Sequence, residues 1–167
     1  VNDAHENTRF LPGARLPANL RATGVLEEAA ACDVLLVVVP AQHLAHVLTS
    51  LGPFTRPGQM IALCAKGIEL GTGRLLSEIL SEALPHAEAA MLSGPSFARD
   101  VAQGLPTAVV IASRDAAAAQ RLQATMGSGS FRPYVSDDVV GVALGGAAKN
   151  VYAIACGMVE GAGLGEN

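Results

Sequence analysis

The chain has 167 residues, enough for one ordinary domain or one domain and part of another. Half of it is hydrophobic, which excludes a disordered chain, and with 4% aromatics and no Trp the core has to be built from Ala, Val, Leu and Ile. A net charge of −4 with no basic run excludes nucleic acid as the main partner, whereas a small anion needs only one or two local cations.

The chain begins with Val1, not Met, in a charged segment, and is read as a piece of a longer polypeptide or one whose natural start is missing. A helix is predicted over 24–31. Residues 33–39 are a β-branched apolar run without alternation, ended by Pro40, which predicts a central strand of a parallel sheet covered on both faces. A helix over 41–51, a strand over 59–64 and a helix over 73–84 follow, then a strand over 89–93, a helix over 96–103 and a strand over 107–112. A helix over 115–126 and a last strand over 131–135 complete the series. Pro57-Gly58, Leu84-Pro85 and Gly104-Leu105-Pro106 punctuate it, and Gly127-Ser128-Gly129-Ser130 links the last pair. Strand–helix alternation of this kind predicts an α/β fold with right-handed crossovers.

The character changes after Tyr134. Ser136-Asp137-Asp138 reads as a helix N-cap, and Val139 to Val159 is a stretch of 21 residues with one formal charge, Lys149. A helix apolar on nearly every side has to be buried or to span a membrane; Lys149 and Asn150 near its centre argue for burial. A domain boundary is placed near residue 136, dividing the chain into 1–135 and 136–167. Cys32, Cys64 and Cys156 have no CxxC or zinc-ligand spacing and read as reduced, buried thiols of a cytosolic protein. His43 and His46 share a helix face but have no third partner, so no metal site is expected.

Three places could carry chemistry. Lys149 in an apolar helix is costly unless its charge is paired, hydrated or bound to a ligand, and burial would lower its pKa into the range useful for proton transfer. A snorkelling ammonium or a structural ion pair explains it equally well from spacing alone. Gly141, Gly145, Gly146 and Gly157 in the same helix let another element come close to its backbone. Gly94-Pro95-Ser96 is a strand-to-helix turn whose N–H groups and hydroxyl suit an anion or a sugar-like hydroxyl, simple capping by Ser96 being the plainer reading. Lys66-Gly67 follows a strand at the carboxyl edge, where open α/β sheets bind ligands, although a surface lysine in a loop is commoner. No G-x-G-x-x-G occurs anywhere in the chain.

Taken together, an ordered series of motifs resembles the soluble, bacterial-type NAD(P)-dependent glycerol-3-phosphate dehydrogenases. The series runs His5-Glu6-Asn7, Phe10-Leu11-Pro12-Gly13, Leu16-Pro17, Val38-Val39-Pro40 and Ala65-Lys66-Gly67-Ile68-Glu69. It continues through Ser93-Gly94-Pro95-Ser96-Phe97-Ala98, Pro106-Thr107-Ala108 and Gly145-Gly146-Ala147-Ala148-Lys149-Asn150-Val151, and so covers essentially the whole chain.

The resemblance implies a Rossmann-like doubly wound sheet, partial here, followed by the first long helix of an all-α domain. It implies a cytoplasmic oxidoreductase interconverting sn-glycerol 3-phosphate and dihydroxyacetone phosphate with NAD or NADP, feeding glycerophospholipid synthesis. By the same resemblance Lys149 is the catalytic proton donor and acceptor; Lys66, Gly94, Ser96 and Asn150 bind substrate; and Lys66, Ala98 and His43 bind cofactor. The partner is a small phosphorylated substrate, with no nucleic acid and no integral membrane segment, and a homodimer is compatible. Ala143 departs from the polar or acidic residue relatives often carry. The glycine-motif strand at the start of the family, and most of its helical domain with the arginine–asparagine pair for the phosphate, are absent, so the 167 residues alone are expected to be inactive. Two alternatives are a 3-hydroxyacid or 6-phosphogluconate-type dehydrogenase and a non-catalytic binding module on the same scaffold.

Overall fold

A computed structural model describes residues 1–165; Glu166 and Asn167, at the end of the expected second domain, lie outside the described residues. The first element is one the sequence pattern did not reveal. Strands β1 (Glu6–Asn7) and β2 (Leu11–Arg15) form an antiparallel hairpin too short for any alternation to register. Its own side chains lock it. The Glu6 carboxylate accepts the Gly13 N–H at 2.8 Å and the Asn7 amide oxygen accepts the Phe10 N–H at 3.2 Å.

The rest of the chain alternates as expected: α1 (Leu26–Ala30), β3 (Val34–Val37), a 3₁₀ turn (Ala41–His43) leading into α2 (Leu44–Leu51), β4 (Met60–Leu63) and α3 (Leu76–Ala83). Then come β5 (Glu88–Ser93), α4 (Ala98–Ala102), β6 (Thr107–Ala112), α5 (Ala116–Met126), β7 (Phe131–Ser136) and α6 (Val139–Gly161). The sheet order is β3-β4-β5-β6-β7. Strand β4 is buried throughout, and its alternation feeds two cores. Ile61 and Leu63 join Leu44, Leu48 and Leu80 from α2 and α3 on one face. Met60 and Ala62 join Ala118 and Leu122 of α5 on the other. Helices on both faces of a largely parallel sheet make this a Rossmann-like α/β fold with a long helix after it.

Three details differ from the sequence reading. First, β6 runs antiparallel to β5, while the other neighbouring pairs are parallel. A parallel return needs a packed crossover, and α4 buries none of its residues, leaning instead on β2. Second, β3 is an edge strand, not a central one, among the described residues. Leu36 pairs in register with Ala62, and α5 has its main contacts with β7, β6 and β5 farther along the sheet, so Leu36 and Val38 stay 47% and 71% exposed.

Third, α6 is not buried all round. Asp138 caps it by accepting the Gly141 N–H at 2.7 Å, and its first turns cross β5. Ala143 is its one buried residue, lying in the core beside the sheet, and every residue from Lys149 to Gly161 is exposed. An apolar helix says that it needs cover but not where that cover comes from, and nothing described packs on its second half. By length and composition alone it is the one helix among the described residues able to cross a membrane. The thiols differ as well: Cys64 is partly buried, whereas Cys32 and Cys156 are exposed.

Candidate functional site

The carboxyl ends of β4 and β5 and the first half of α6 enclose a cavity of about 330 Å³ lined by Lys66, Ser93, Gly94, Pro95, Gly146 and Lys149, among others. The chain contains only two lysines, and both line this cavity. Lys66 leaves the end of β4, and its Nζ donates to the Gly94 carbonyl at 2.8 Å. Gly94 follows β5 with φ 153°, and a Cβ there would stand 2.9 Å from both the Ala108 carbonyl oxygen and the Val109 Cα of β6. Only glycine fits where β5 turns toward α4. Lys149 reaches the cavity from α6 and is exposed, so it does not sit buried in its helix.

Of the helix glycines singled out in the sequence, Gly141, Gly145 and Gly146 line the cavity, whereas Ser96, Ala98, Asn150 and His43 lie outside its lining. Ser96 and Ala98 are exposed on the turn into α4, where no side chain caps the helix; the plain capping role for Ser96 is therefore not realised. Asn150, one position past Lys149, is exposed. His43 ends the 3₁₀ turn after β3, at the same edge of the sheet. That turn is tied to the Lys66 loop by Gln42, whose amide donates to the Ile68 carbonyl at 2.9 Å and accepts the Leu70 N–H at 2.8 Å. Gln42 and Ser93 escaped the sequence reading as site residues, because a clamp between two loops and a serine at a strand end leave no local pattern, whereas the close approach at Gly146 is one that the helix glycines announced.

A larger cavity, about 610 Å³, lies between α3, β5 and the start of α6. Its carboxylates already have partners: Glu82 pairs with Arg74, Glu88 with Arg121, Asp115 caps α5 and Glu78 accepts the Leu75 N–H. The smaller cavity holds the uncommitted chemistry. Among the described residues no cluster of His, Cys, Asp or Glu could hold a metal.

Electrostatics set the character of the pair. Partial burial, and then the Lys149 charge, hold Lys66 below the ordinary lysine value of 10.5, against a small opposing pull from Cys64. Burial pushes the Cys64 thiol up, so near neutral pH it stays protonated and unreactive, and it pulls on Lys66 only where it ionises at alkaline pH. The unfolded chain keeps the Lys66 proton to higher pH than the folded chain does. Stability from this group therefore rises with pH between its folded value and 10.5, and the penalty is complete below that window. Replacing Lys149 by Met is expected to move the Lys66 titration up part of the way to 10.5, since burial remains; NMR of labelled lysine reads it directly. An unchanged curve would remove the coupling.

Comparison with known proteins bears on the same region. The description NAD-dependent glycerol-3-phosphate dehydrogenase N-terminus matches residues 1–119, and the corresponding C-terminus matches residues 138–167. The chain belongs to this family. It is 55% identical to the glycerol-3-phosphate dehydrogenase (NAD(P)+) of Parvibaculum lavamentivorans over 167 residues, covering 100% of this chain and 50% of that protein. The identity is 60% over 162 residues with the protein of the same name from Rhodopseudomonas palustris, covering 97% and 49%. A crystal structure of glycerol-3-phosphate dehydrogenase from Coxiella burnetii superposes with a TM-score of 0.87 at 36% identity, covering 99% of this chain and 51% of that one. The dehydrogenase-family chain thus spans about half the length of the curated relatives it matches.

Proposed function

We propose that the chain carries the catalytic half of a nicotinamide-dependent oxidoreductase that interconverts sn-glycerol 3-phosphate and dihydroxyacetone phosphate. The observation that carries the reading is the convergence of both lysines on one cavity at the carboxyl edge of the sheet. Reduction of a ketone puts negative charge on its oxygen. An ammonium held beside that oxygen stabilises the charge and supplies the proton, and Lys149, on a helix seated against β5, is suited to that task. Lys66, tied to the Gly94 carbonyl, offers a second cation to a phosphorylated substrate, with Ser96 and Asn150 on neighbouring exposed segments.

The residues present fit the nicotinamide end of NAD or NADP. Gly67, with φ 143°, lets the loop after β4 pack closely on Ala41, where a Cβ would stand 3.1 Å from the Ala41 Cβ, and Lys66, His43 and Ala98 lie on segments at the same edge. When bound, the cofactor supplies the hydride. A boundary near residue 136 and a cytoplasmic location with free thiols belong to the same reading, as does supply of glycerophospholipid synthesis. So does a domain helix, and not a membrane span, for α6: its first half is docked on the sheet and its sequence matches the family's C-terminal part. In the isolated chain the exposed Val151, Ile154 and Met158 favour homodimer formation.

The test is a chimera in which residues 1–167 replace the matching half of the Parvibaculum protein. Reduction of dihydroxyacetone phosphate with NADH or NADPH is expected from the chimera and not from the 167-residue chain. A folded but inactive chimera, or robust turnover by the chain alone, would overturn the reading.

A further inference from the structure

The glycines of α6 do not all play one part. A Cβ added at Gly145, Gly157 or Gly161 would meet nothing within 4 Å, and at Gly141 it would meet only the Asp138 side chain that caps the helix. Gly146 alone faces another part of the fold. A Cβ there would lie 3.0 Å from Ser93 Oγ, 3.4 Å from Lys66 Cγ and 3.8 Å from Lys66 Cβ. Ser93 ends β5, Lys66 follows β4, and Lys149 is three residues further along α6, so one Cα touches both walls of the cavity just before the helix delivers its ammonium.

We propose that Gly146 is a positioning residue: its bare Cα lets α6 seat on Ser93 and on the aliphatic stem of Lys66, and that seat sets how closely the two ammonium groups approach. The proposal deepens the reading of this cavity as the reaction site, and it rests on that reading for its functional meaning. A methyl group at 3.0 Å from Ser93 Oγ and 3.4 Å from Lys66 Cγ is tighter than ordinary packing and needs a few tenths of an ångström of relief, which on this proposal α6 gives by lifting from the sheet. Lifting exposes the Lys66 stem and carries Lys149 away, weakening both influences that lower the Lys66 titration. The titratable groups facing Lys66 are Cys64 beside it and Lys149 on α6; β5 and the turn after it present the Ser93 hydroxyl and the Gly94 carbonyl.

With two lysines in the chain, the experiment is direct: the 167-residue protein labelled at lysine, with Lys149→Arg assigning the Lys66 signal, is titrated by NMR. Gly146→Ala is expected to shift the Lys66 midpoint upward in a folded chain, while Gly145→Ala leaves it where it is. Adding Ser93→Ala to Gly146→Ala removes the oxygen that the new methyl meets and should return the midpoint toward the wild-type value, which a general loss of helix packing would not do. Ser93→Thr, which crowds the same gap from the sheet side, should raise the midpoint like Gly146→Ala and serves where that variant fails to fold. An unmoved midpoint in folded Gly146→Ala, or in folded Ser93→Thr where it stands in, overturns the proposal. So does a shift that the added Ser93→Ala does not reverse. A reaction site elsewhere in the family-length protein would leave these titrations intact and show itself as a chimera that keeps its kcat when Lys149 is replaced, so the two ideas fall separately.

Discussion

Replacing Lys149 by Ala in the chimera is expected to lower kcat by about 10²–10⁴-fold, the range for loss of a positioned proton donor. That corresponds to about 3–5 kcal/mol of transition-state stabilisation. The loss should fall on kcat and on kcat/KM together, because the ammonium acts on charge that develops only as the carbonyl is reduced. Lys149→Arg is expected to rescue little: guanidinium keeps the positive charge but holds its proton too firmly to give it up near neutral pH. Lys66 variants should instead raise KM more, since that ammonium is tied to the Gly94 carbonyl at 2.8 Å and serves as a fixed anchor. Steady-state kinetics with both cofactors separates these roles. A Lys149→Ala chimera that keeps its kcat within tenfold of the parent would sink the assignment.

The second large effect is on stability. Gly94→Ala forces a Cβ to within 2.9 Å of the backbone of β6 at a residue whose φ is 153°. Overpacking of that kind costs about 1–3 kcal/mol, and the strained backbone adds about 1–3 kcal/mol. For a chain of this size each kcal/mol lowers Tm by about 2–4 °C. Relief by local movement would displace the Gly94 carbonyl and release Lys66, so the variant should lose rigidity at the cavity as well. Gly145→Ala, in open space on α6, is the contrast: it should stabilise by about 0.5–1 kcal/mol through helix propensity alone. Thermal and denaturant unfolding of the two variants reads the difference, and equal effects would refute the crowding at Gly94.

Much of this was legible in the sequence, and the rest was hidden for definite reasons. The β4 strand, apolar in every position and buried in every position, is the clear case; so is the Asp138 cap that opens α6. The direction of β6 could not be read, because the residues between it and β5 say only that the chain turns, and whether α4 packs on the sheet depends on the hairpin beside it. The burial of Lys149 was misjudged since its helix lacks a polar face and so gives no hint of which half is docked. The site divided likewise. Lys66, Gly94 and Lys149 meet in one cavity; the glycines of α6 announced a close approach, but which of them makes it, Gly146, and onto which residue, Ser93, is a matter of residues far apart in sequence.

Helix α6 is docked by its first half and free of described contacts along its exposed second half, and this geometry has a mechanical consequence. At about 1.5 Å per residue, Gly161 lies about 22 Å from Gly146 along the axis, whereas Lys149 lies only about 4.5 Å away. A bend of about 10° near Gly146, where the docked part ends, would swing the far end by about 4 Å but carry the base of Lys149 by less than about 1 Å. The exposed half can therefore follow large shifts while the base of Lys149 stays nearly still, shielded from leverage by its nearness to the docked end.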